Sequence, residues 1–224
     1  MQDQPAVIDW RDGRVPVSRR FDDPYFSLED GLAETAHVFL AGNDLPARFR
    51  DGFQIAELGF GTGLNLLVTW AAWEASGQSG RFGFTTFEAY PMALSDMAKA
   101  LAAFPSLDPF AKLLLRALAN GGDRHDLGGP ILTLVPGDAR ETLPAWQGRA
   151  DAWYLDGFAP ARNPEMWGDD LMQAVAAHTT PGGTAASYTA AGHVRRSLTD
   201  GGFDVTRVPG YGRKRHMTLA RMPE

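Results

Sequence analysis

Residues 57–63 have the sequence Glu57-Leu58-Gly59-Phe60-Gly61-Thr62-Gly63 and stand between an apolar run and a helical pattern. A glycine-rich turn between a strand and a helix is the setting in which Rossmann-like folds bind a nucleotide. Gly59 suits the tight turn, and Gly61 allows a ligand to approach the backbone. Leu64 stands where the dinucleotide fingerprint needs its third glycine, which disfavours NAD. A purely structural turn is the alternative, since short glycine patterns recur without ligands.

Short apolar runs alternate with helical patterns from residue 54 onward, which predicts an α/β fold with a mostly parallel sheet and helices on both faces. We expect seven strands, at residues 54–58, 83–87, 131–135, 152–155, 184–188, 203–208 and 217–221. We expect helices at residues 64–74, 92–104, 165–178 and 191–200. Four glycines in residues 120–130 favour a flexible surface loop.

The length of 224 residues suits one compact domain with a short addition. We expect residues 1–50 to form an N-terminal extension that packs on the core, and residues 51–224 to form the main domain. Asp12-Gly13 lies between the apolar runs at 7–10 and 15–18, which predicts a β-hairpin.

Composition excludes several kinds of chemistry. The chain has no cysteine, which excludes disulfides, thiolate zinc sites and iron–sulfur clusters, so we expect no metal. No apolar run reaches the roughly 20 residues of a membrane span, and the N-terminus lacks the apolar core of a secretory signal. We therefore expect a cytoplasmic protein that does not contact a membrane.

The formal net charge of -6 argues against indiscriminate binding to polyanions, because nonspecific affinity for nucleic acid comes mainly from cations that contact phosphates. Local basic groups remain at Arg195-Arg196 and at Arg213-Lys214-Arg215. They form either a local patch for phosphates or a solvated helix face and strand end.

Three acidic side chains follow predicted strands, and the carboxyl ends of parallel strands form the ligand-binding edge of such sheets. Glu88 follows the second strand, where a carboxylate can accept hydrogen bonds from both ribose hydroxyls of an adenosyl group. Asp138 follows the third strand and can contact the adenine, or it can cap a helix. Asp156 opens the loop 156–164 after the fourth strand, where an acceptor would meet the cofactor. The alternative for this loop is a turn stiffened by proline.

Several motifs together resemble the MnmC methyltransferase family. They are Phe21-Asp22-Asp23-Pro24-Tyr25-Phe26-Ser27, Gly31-Leu32-Ala33-Glu34-Thr35, Gly59-Phe60-Gly61-Thr62-Gly63-Leu64-Asn65, Leu155-Asp156-Gly157-Phe158-Ala159-Pro160 with Asn163-Pro164, and Gly212-Arg213-Lys214-Arg215. The resemblance implies the class I fold and S-adenosylmethionine as cofactor. It also implies methylation of the exocyclic amine of 5-aminomethyl-2-thiouridine at the wobble position of tRNA.

Members of the family often carry a fused FAD-dependent oxidase domain. No second glycine-rich nucleotide turn occurs in this sequence, so we expect the terminal methylation alone, and pairing with a separate FAD-dependent oxidase is compatible with that expectation. tRNA is the implied macromolecular partner.

The resemblance and the positions described above together give a set of expected site residues. Those expected at the cofactor are Glu57, Gly59, Gly61, Gly63, Asn65, Glu88, Asp138 and Asp156. Those expected to act on the acceptor are Asp156, Phe158 and Tyr25. Those expected to bind the substrate are Phe26, Arg195, Arg213, Lys214 and Arg215.

Methyl transfer from a sulfonium moves positive charge from sulfur to the attacking nitrogen, and a carboxylate such as Asp156 stabilises that charge in the transition state. The same carboxylate raises the pKa of the amine, so desolvation by Tyr25, Phe26 or Phe158 is needed to keep a neutral fraction. Two alternatives stay open: a methyltransferase for a small-molecule or protein amine, and a noncatalytic module that binds a nucleotide or tRNA.

Overall fold

The computed structural model describes residues 5–27 and 30–224; the first four residues of the expected extension, and residues 28 and 29, lie outside this description. Its strands in chain order are β1 (Ile8–Arg11), β2 (Val15–Ser18), β3 (Asp23–Pro24), β4 (Gln54–Leu58), β5 (Phe82–Glu88), β6 (Arg124–Asp126), β7 (Pro130–Pro136), β8 (Ala150–Tyr154), β9 (Thr179–Ser187), β10 (Asp204–Pro209) and β11 (His216–Arg221).

The α-helices in chain order are α1 (Gly31–Thr35), α2 (Leu64–Ala75), α3 (Leu94–Leu101), α4 (Asp108–Ala119), α5 (Ala139–Ala145), α6 (Asp169–Ala177) and α7 (Gly192–Asp200). A π-helical turn (Ala36–Leu40) and a 3-10 turn (Ala41–Asn43) continue α1, and further 3-10 turns lie at Pro105–Leu107 and Pro164–Trp167. No helix in the described part of the chain combines the length and apolar character that a membrane crossing requires.

The central sheet has the strand order β10-β11-β9-β8-β4-β5-β7-β6. The strands from β9 to β7 in this order run parallel to one another. Strand β11 lies antiparallel between β9 and β10. This is the Rossmann-like class I methyltransferase arrangement, and all seven strands expected from the sequence are present in it.

An eighth strand at the sheet edge corrects the expected count. Residues 120–130 are not entirely loop, because β6 pairs antiparallel with β7. Gly128 (φ 99°) makes the tight connection between them, and its N–H donates to Asp126 Oδ1 at 3.0 Å. The glycine signal therefore marked this turn correctly but concealed a strand of three residues.

Two helix expectations also change at their ends. The helix expected over 92–104 is only α3, because the chain leaves the helix before Pro105, and a residue before proline disfavours the helical region. The helix expected over 165–178 is split, because Gly168 is extended (φ -72°, ψ 158°) between a 3-10 turn and α6.

The sheet is covered on both faces, as its apolar central strands require. All residues of β8 are buried. Since side chains alternate along a strand, its consecutive residues enter opposite layers. Tyr154 packs with Leu66, Trp73 and Phe84 on one side. Trp153 packs on the other side, in the layer formed by α5, α6 and α7.

The N-terminal strands form a separate antiparallel sheet of three strands. Strands β1 and β2 form a hairpin in which Asp12 (φ 51°) and Gly13 (φ 68°) have positive φ and the Arg14 N–H donates to the Arg11 carbonyl at 3.1 Å. Farther along, Phe39 and Phe49 are buried in the same core layer as α2. The division of the chain at residue 50 stays a prediction.

Candidate active site

One cavity of about 470 Å³ lies at the carboxyl ends of β4, β5, β7 and β8. The N-terminal segment 20–27, helix α1 and the turn 211–214 form its other walls. Because neighbouring parallel strands all end at this edge, side chains that follow different strands meet around one space.

The glycine turn forms one wall of the cavity. Gly61 has φ 52°, and a Cβ at this position would lie 3.0 Å from Tyr25 Cδ1. Gly59 packs toward the loop after β8, since a Cβ there would lie 3.6 Å from Gly157 Cα. Both glycines line the cavity. Residue 61 therefore has room for backbone only, and the tyrosine ring covers it.

Gly63 does not line the cavity, contrary to the cofactor contact expected of it. It precedes α2 with φ 78°, and a Cβ there would lie 2.9 Å from Leu114 Cδ2 and 3.1 Å from Phe60 Cζ. Its glycine identity is explained by the left-handed start of the helix and by close packing behind the turn.

Glu88, at the end of β5, accepts a hydrogen bond from the backbone of the glycine turn. Its Oε2 accepts the Gly61 N–H at 3.0 Å, and its Oε1 accepts the Tyr90 N–H at 2.7 Å. The carboxylate lines the cavity beside the turn. The contact of Glu88 with the ribose hydroxyls of an adenosyl group stays a prediction.

Asp138 lines the cavity next to Glu88, but it also caps α5. Its Oδ1 accepts the Arg140 N–H at 2.9 Å, and its Oδ2 pairs with the Arg140 guanidinium at 2.6 Å. These bonds from Arg140 hold the pKa of the Asp138 carboxyl below its usual range. The helix cap is thus observed, and the contact with adenine stays a prediction.

Glu57 is only 1% exposed and does not line the cavity, so a direct cofactor contact is not supported by this geometry. Its Oε1 accepts from Asn65 Nδ2 at 2.8 Å, and its Oε2 accepts from Thr86 Oγ1 at 2.7 Å. Burial raises the pKa of Glu57 well above its usual range, although these hydrogen bonds oppose the shift. Glu57 lies beneath the turn because β4 is buried on both faces.

Asp156 follows β8 and faces the cavity with both carboxylate oxygens held. Oδ1 accepts the Gly157 N–H at 2.8 Å, and Oδ2 accepts from Asn65 Nδ2 at 2.7 Å. Burial raises the pKa of Asp156 to about 6, while the bonds from Asn65 and Gly157 work in the opposite direction. The group is therefore ionised at neutral pH and takes up a proton in mildly acidic solution.

Aromatic rings surround the space beside Asp156. The Phe158 ring stacks on Phe21 with centroids 4.7 Å apart and meets Tyr25 edge-on at 5.0 Å. Phe21 in turn meets Tyr90 at 5.9 Å. Phe26 also lines the cavity, packed edge-on against the ring at residue 104. Burial raises the pKa of Tyr25, so its hydroxyl stays protonated.

The sequence did not assign Phe21 or Tyr90 to the site, although Phe21 belongs to one of the quoted motifs. Arg20 was missed as well; its guanidinium lies 4.5 Å from the centroid of the Tyr90 ring at the cavity wall. No local pattern identifies these residues, because the hairpin and the segment after β5 meet only in the folded chain.

Several known proteins are similar to this chain in sequence or in structure. Residues 113–223 match the family described as S-adenosyl-L-methionine-dependent methyltransferase. The tRNA 5-methylaminomethyl-2-thiouridine biosynthesis bifunctional protein MnmC of Marinobacter nauticus is 47% identical over 234 residues, covering 98% of this chain and 37% of that protein. The protein of the same name from Caulobacter vibrioides is 45% identical over 227 residues, covering 98% of this chain and 38% of that protein.

The chain belongs to the MnmC methyltransferase family. It spans little more than a third of the length of these two relatives. The crystal structure of MNMC2 from Aquifex aeolicus also matches, with a TM-score of 0.78 and 25% identity over 100% of this chain and 73% of that one. The sequence-based resemblance and the fold are both confirmed.

S-adenosylmethionine is the cofactor of this family, and the residues of the cavity fit it. Gly59 and Gly61 present backbone without side chains to the cavity, and the Glu88 carboxylate is of the kind that could accept ribose hydroxyls. Apolar side chains at Phe60 and Phe87 complete that wall. Together these residues would hold the cofactor beside Asp156.

In this MnmC family member, the loop 156–164 forms a hydrogen bond and an ion pair with the N-terminal segment. Asp23 Oδ2 accepts the Ala159 N–H at 2.8 Å, and Asp22 pairs with Arg162 at 2.9 Å. From the other side, Trp167 Nε1 donates to the Phe158 carbonyl at 2.9 Å. The loop that follows Asp156 is therefore positioned by residues far away in the sequence.

The basic run at 213–215 does not act as a single patch. Arg213 and Lys214 line the cavity, and Lys214 Nζ pairs with Glu34 Oε1 at 2.7 Å while lying 4.1 Å from the centroid of the Tyr188 ring. Arg215 lies outside the cavity lining. Residues 211–214 form a tight turn, in which the Lys214 N–H donates to the Tyr211 carbonyl at 2.9 Å. Arg215 follows this turn.

Arg195 also lies outside the cavity lining, and its Nε donates to the Ala190 carbonyl at 3.3 Å. It joins Arg215 and Arg207 around His216, whose pKa is lowered by partial burial and then by these three positive charges. Arg207 has no basic neighbour on β10, so no local pattern in the sequence points to it. Arg195, Arg207 and Arg215 therefore form an outer basic cluster beside His216, apart from the cavity, and the substrate contacts expected of Arg195 and Arg215 stay predictions.

Proposed function

We propose that this chain uses S-adenosylmethionine to methylate the exocyclic amine of 5-aminomethyl-2-thiouridine at the wobble position of tRNA, giving 5-methylaminomethyl-2-thiouridine. Relatives named for the biosynthesis of this tRNA nucleoside support the proposal, since their similarity covers 98% of the chain. The observation that carries it is the Asp156 carboxylate, held by two hydrogen bonds at the wall of the cavity that also contains the glycine turn.

The bound cofactor supplies a methyl group on a positively charged sulfur. Transfer of this methyl group to the amine would release S-adenosylhomocysteine and place positive charge on the acceptor nitrogen. Asp156 would accept an N–H of the amine, orient the amine in the cavity, and stabilise the ammonium as it develops.

The aromatic wall serves the same step by excluding water. A neighbouring carboxylate favours the protonated amine, which cannot attack, whereas desolvation by Tyr25, Phe158 and Phe21 favours the neutral amine. The Phe158 ring centroid lies 4.7 Å from that of Phe21 and 5.0 Å from that of Tyr25, and all three residues line the cavity with Asp156. The rings and the carboxylate together keep a reactive fraction of the amine.

The outer basic cluster of Arg195, Arg207 and Arg215 supports a tRNA substrate. It lies near the turn whose residues Arg213 and Lys214 line the cavity, so a nucleotide in the cavity leaves its neighbouring phosphates close to these guanidinium groups. The overall charge of -6 limits nonspecific binding elsewhere on the surface. We further propose that an FAD-dependent oxidase acting on the same nucleoside supplies the amine in the cytoplasm.

The decisive experiment incubates the protein with labelled S-adenosylmethionine and tRNA from cells that lack this activity, followed by mass analysis of the nucleosides. We expect one new methyl group on 5-aminomethyl-2-thiouridine, and an initial rate at subsaturating tRNA that falls steeply as salt rises, because counterions compete for phosphate contacts. A parallel reaction supplies the free nucleoside.

Equal transfer to the free nucleoside, with no effect of salt, would instead indicate a small-molecule amine methyltransferase. Binding of cofactor and tRNA without any transfer would indicate a noncatalytic module. Both results contradict the proposed function.

A further inference from the structure

Asn65 connects two carboxyl groups through a single side-chain amide. Its Nδ2 donates to Glu57 Oε1 at 2.8 Å and to Asp156 Oδ2 at 2.7 Å. Its Oδ1 accepts from Thr35 Oγ1 at 3.1 Å. The opposite amide orientation would turn the carbonyl oxygen toward two carboxyl oxygens, so the hydrogen-bond pattern admits one orientation only.

Glu57 is the more deeply buried of the two carboxyl groups that accept from this amide. Together with Thr35 and Asn65 it is buried, and Thr86 Oγ1 donates to its other oxygen at 2.7 Å. Among the described residues no cation forms an ion pair with Glu57. A buried carboxyl group without a positive partner favours its neutral form, and burial accordingly raises the pKa of Glu57 well above its usual range.

We propose that Asn65 is a positioning residue for methyl transfer, which aims the Asp156 carboxylate at the acceptor amine while Thr35 fixes the orientation of the amide. Each Asp156 oxygen then accepts one hydrogen bond from the protein, from Asn65 or Gly157, and keeps a lone pair for the amine. This role replaces the cofactor contact that the sequence suggested for Asn65. It rests on the proposed function for the identity of the acceptor.

The first test titrates the ¹³C-labelled Asp156 carboxyl by NMR without cofactor or substrate, in the wild type and in Asn65→Ala, Thr35→Val and Thr69→Val. A donated N–H favours the ionised form, so its loss in Asn65→Ala raises the pKa of Asp156. Thr35→Val gives a smaller rise, since the amide stays but loses its restraint. Glu57, Glu34 and Lys214, the other charged groups that influence Asp156, remain in every variant.

Thr69→Val is the matched control. It makes the same threonine-to-valine change as Thr35→Val, at a residue one helical turn after Asn65. Thr69 Oγ1 bonds to the Asn65 backbone carbonyl at 2.7 Å and to the Tyr154 hydroxyl at 2.9 Å. It is expected to lower stability but to leave the pKa of Asp156 and the turnover unchanged. Thr35→Val keeps the shape of the side chain and decides the question if Asn65→Ala does not fold.

The second test measures turnover on tRNA and the affinity for S-adenosylmethionine separately. Loss of orientation in Asn65→Ala is expected to lower kcat about a hundredfold with cofactor Kd unchanged. Loss of one hydrogen bond in Thr35→Val is expected to lower kcat about fivefold. An unmoved Asp156 pKa, or a defect confined to cofactor Kd, would overturn the proposal. A wild type that methylates no tRNA contradicts the proposed function, while the titration still decides the role of Asn65.

Discussion

The two ends of the cavity are built in different ways. At the end that we propose for the cofactor, Gly61 and Asp138 follow strands of the parallel sheet and Glu88 ends one, and the strand order alone brings them to one edge. At the acceptor end, Asp156 is surrounded by Tyr25 from the N-terminal segment and by Lys214 from the C-terminal turn. These segments are joined by individual side-chain contacts.

The difference predicts two kinds of sensitivity. The cofactor end depends on backbone conformation, so changes there affect cofactor binding and stability together. The acceptor end depends on single contacts, such as the hydrogen bond that the Ala159 N–H donates to Asp23 and the ion pair between Lys214 and Glu34. Changes there are expected to reduce turnover while the fold and the cofactor affinity remain intact.

The largest expected effect separates chemistry from cofactor binding. Asp156→Asn keeps the shape and removes the charge, so turnover should fall by about a hundredfold or more, because the ammonium that develops loses its counter-charge. Calorimetry should give an unchanged Kd for S-adenosylmethionine. A variant with wild-type turnover would remove Asp156 from the mechanism.

The pH dependence sharpens the same point. The pKa of Asp156 is raised to about 6, and the carboxylate is the active form, so wild-type turnover falls as pH decreases through about 6. Protonation of the amine also lowers turnover in acid, but in both proteins. The turnover of Asp156→Asn should therefore depend on one protonation fewer in acid than the turnover of the wild type. Parallel acid limbs in the two profiles would contradict the assignment.

Gly61→Ala tests the cofactor end. The added Cβ would lie 3.0 Å from the Tyr25 ring at a left-handed φ of 52°, which strains the turn and narrows the approach to the backbone. We expect at least about tenfold weaker binding of S-adenosylmethionine, which is the direct consequence of a blocked approach to the turn.

Gly52→Ala is its matched control. Gly52 has φ 75° and nothing within 4 Å of the added atom, so this variant carries the conformational cost alone. It should lose about 1 kcal/mol of stability and no affinity, which melting curves and calorimetry distinguish. Equal loss of affinity in both variants would move the cofactor away from the glycine turn.

Asp23→Ala tests whether the N-terminal segment positions the acceptor loop. It removes the acceptor of the Ala159 N–H, and we expect turnover to fall about fivefold with unchanged cofactor affinity, as suits the loss of one hydrogen bond. Arg162→Ala cuts the other tie between the same segments, an exposed ion pair that contributes little. Similar losses of turnover in Asp23→Ala and Arg162→Ala would mean that turnover falls when any contact of the loop 156–164 is removed, and would contradict a specific role for Asp23.

The smallest expected effect concerns the basic residues. Replacing Arg207 and Arg215 with Ala should lower the logarithmic salt slope of tRNA binding by about 2, because each guanidinium group that is removed leaves one phosphate unneutralised. Lys214→Ala should change it less, because the ammonium already pairs with Glu34 at 2.7 Å. Filter binding at several salt concentrations measures all three slopes. An equal drop in Lys214→Ala would place that ammonium on a phosphate.

Local patterns were sufficient for seven of the eight strands of the central sheet and for the strand edge that lines the cavity. The seven expected strands are present because strand length, apolar content and terminating glycines are properties of neighbouring residues. The eighth strand, β6, was missed because three residues beside a glycine-rich turn give no periodic signal. The expected edge with Gly61, Glu88 and Asp156 follows from strand alternation alone.

The sequence by itself determined the glycine turn, the strand ends and the motifs of the MnmC family, since these depend on backbone conformation and residue order. The tertiary structure alone decided which side chains meet: Glu57 lies beneath the turn, Lys214 faces Glu34, and Asn65 holds Asp156. Such contacts join segments far apart in the chain. Their energies depend on distance and burial, which exist only once the topology has brought the segments together.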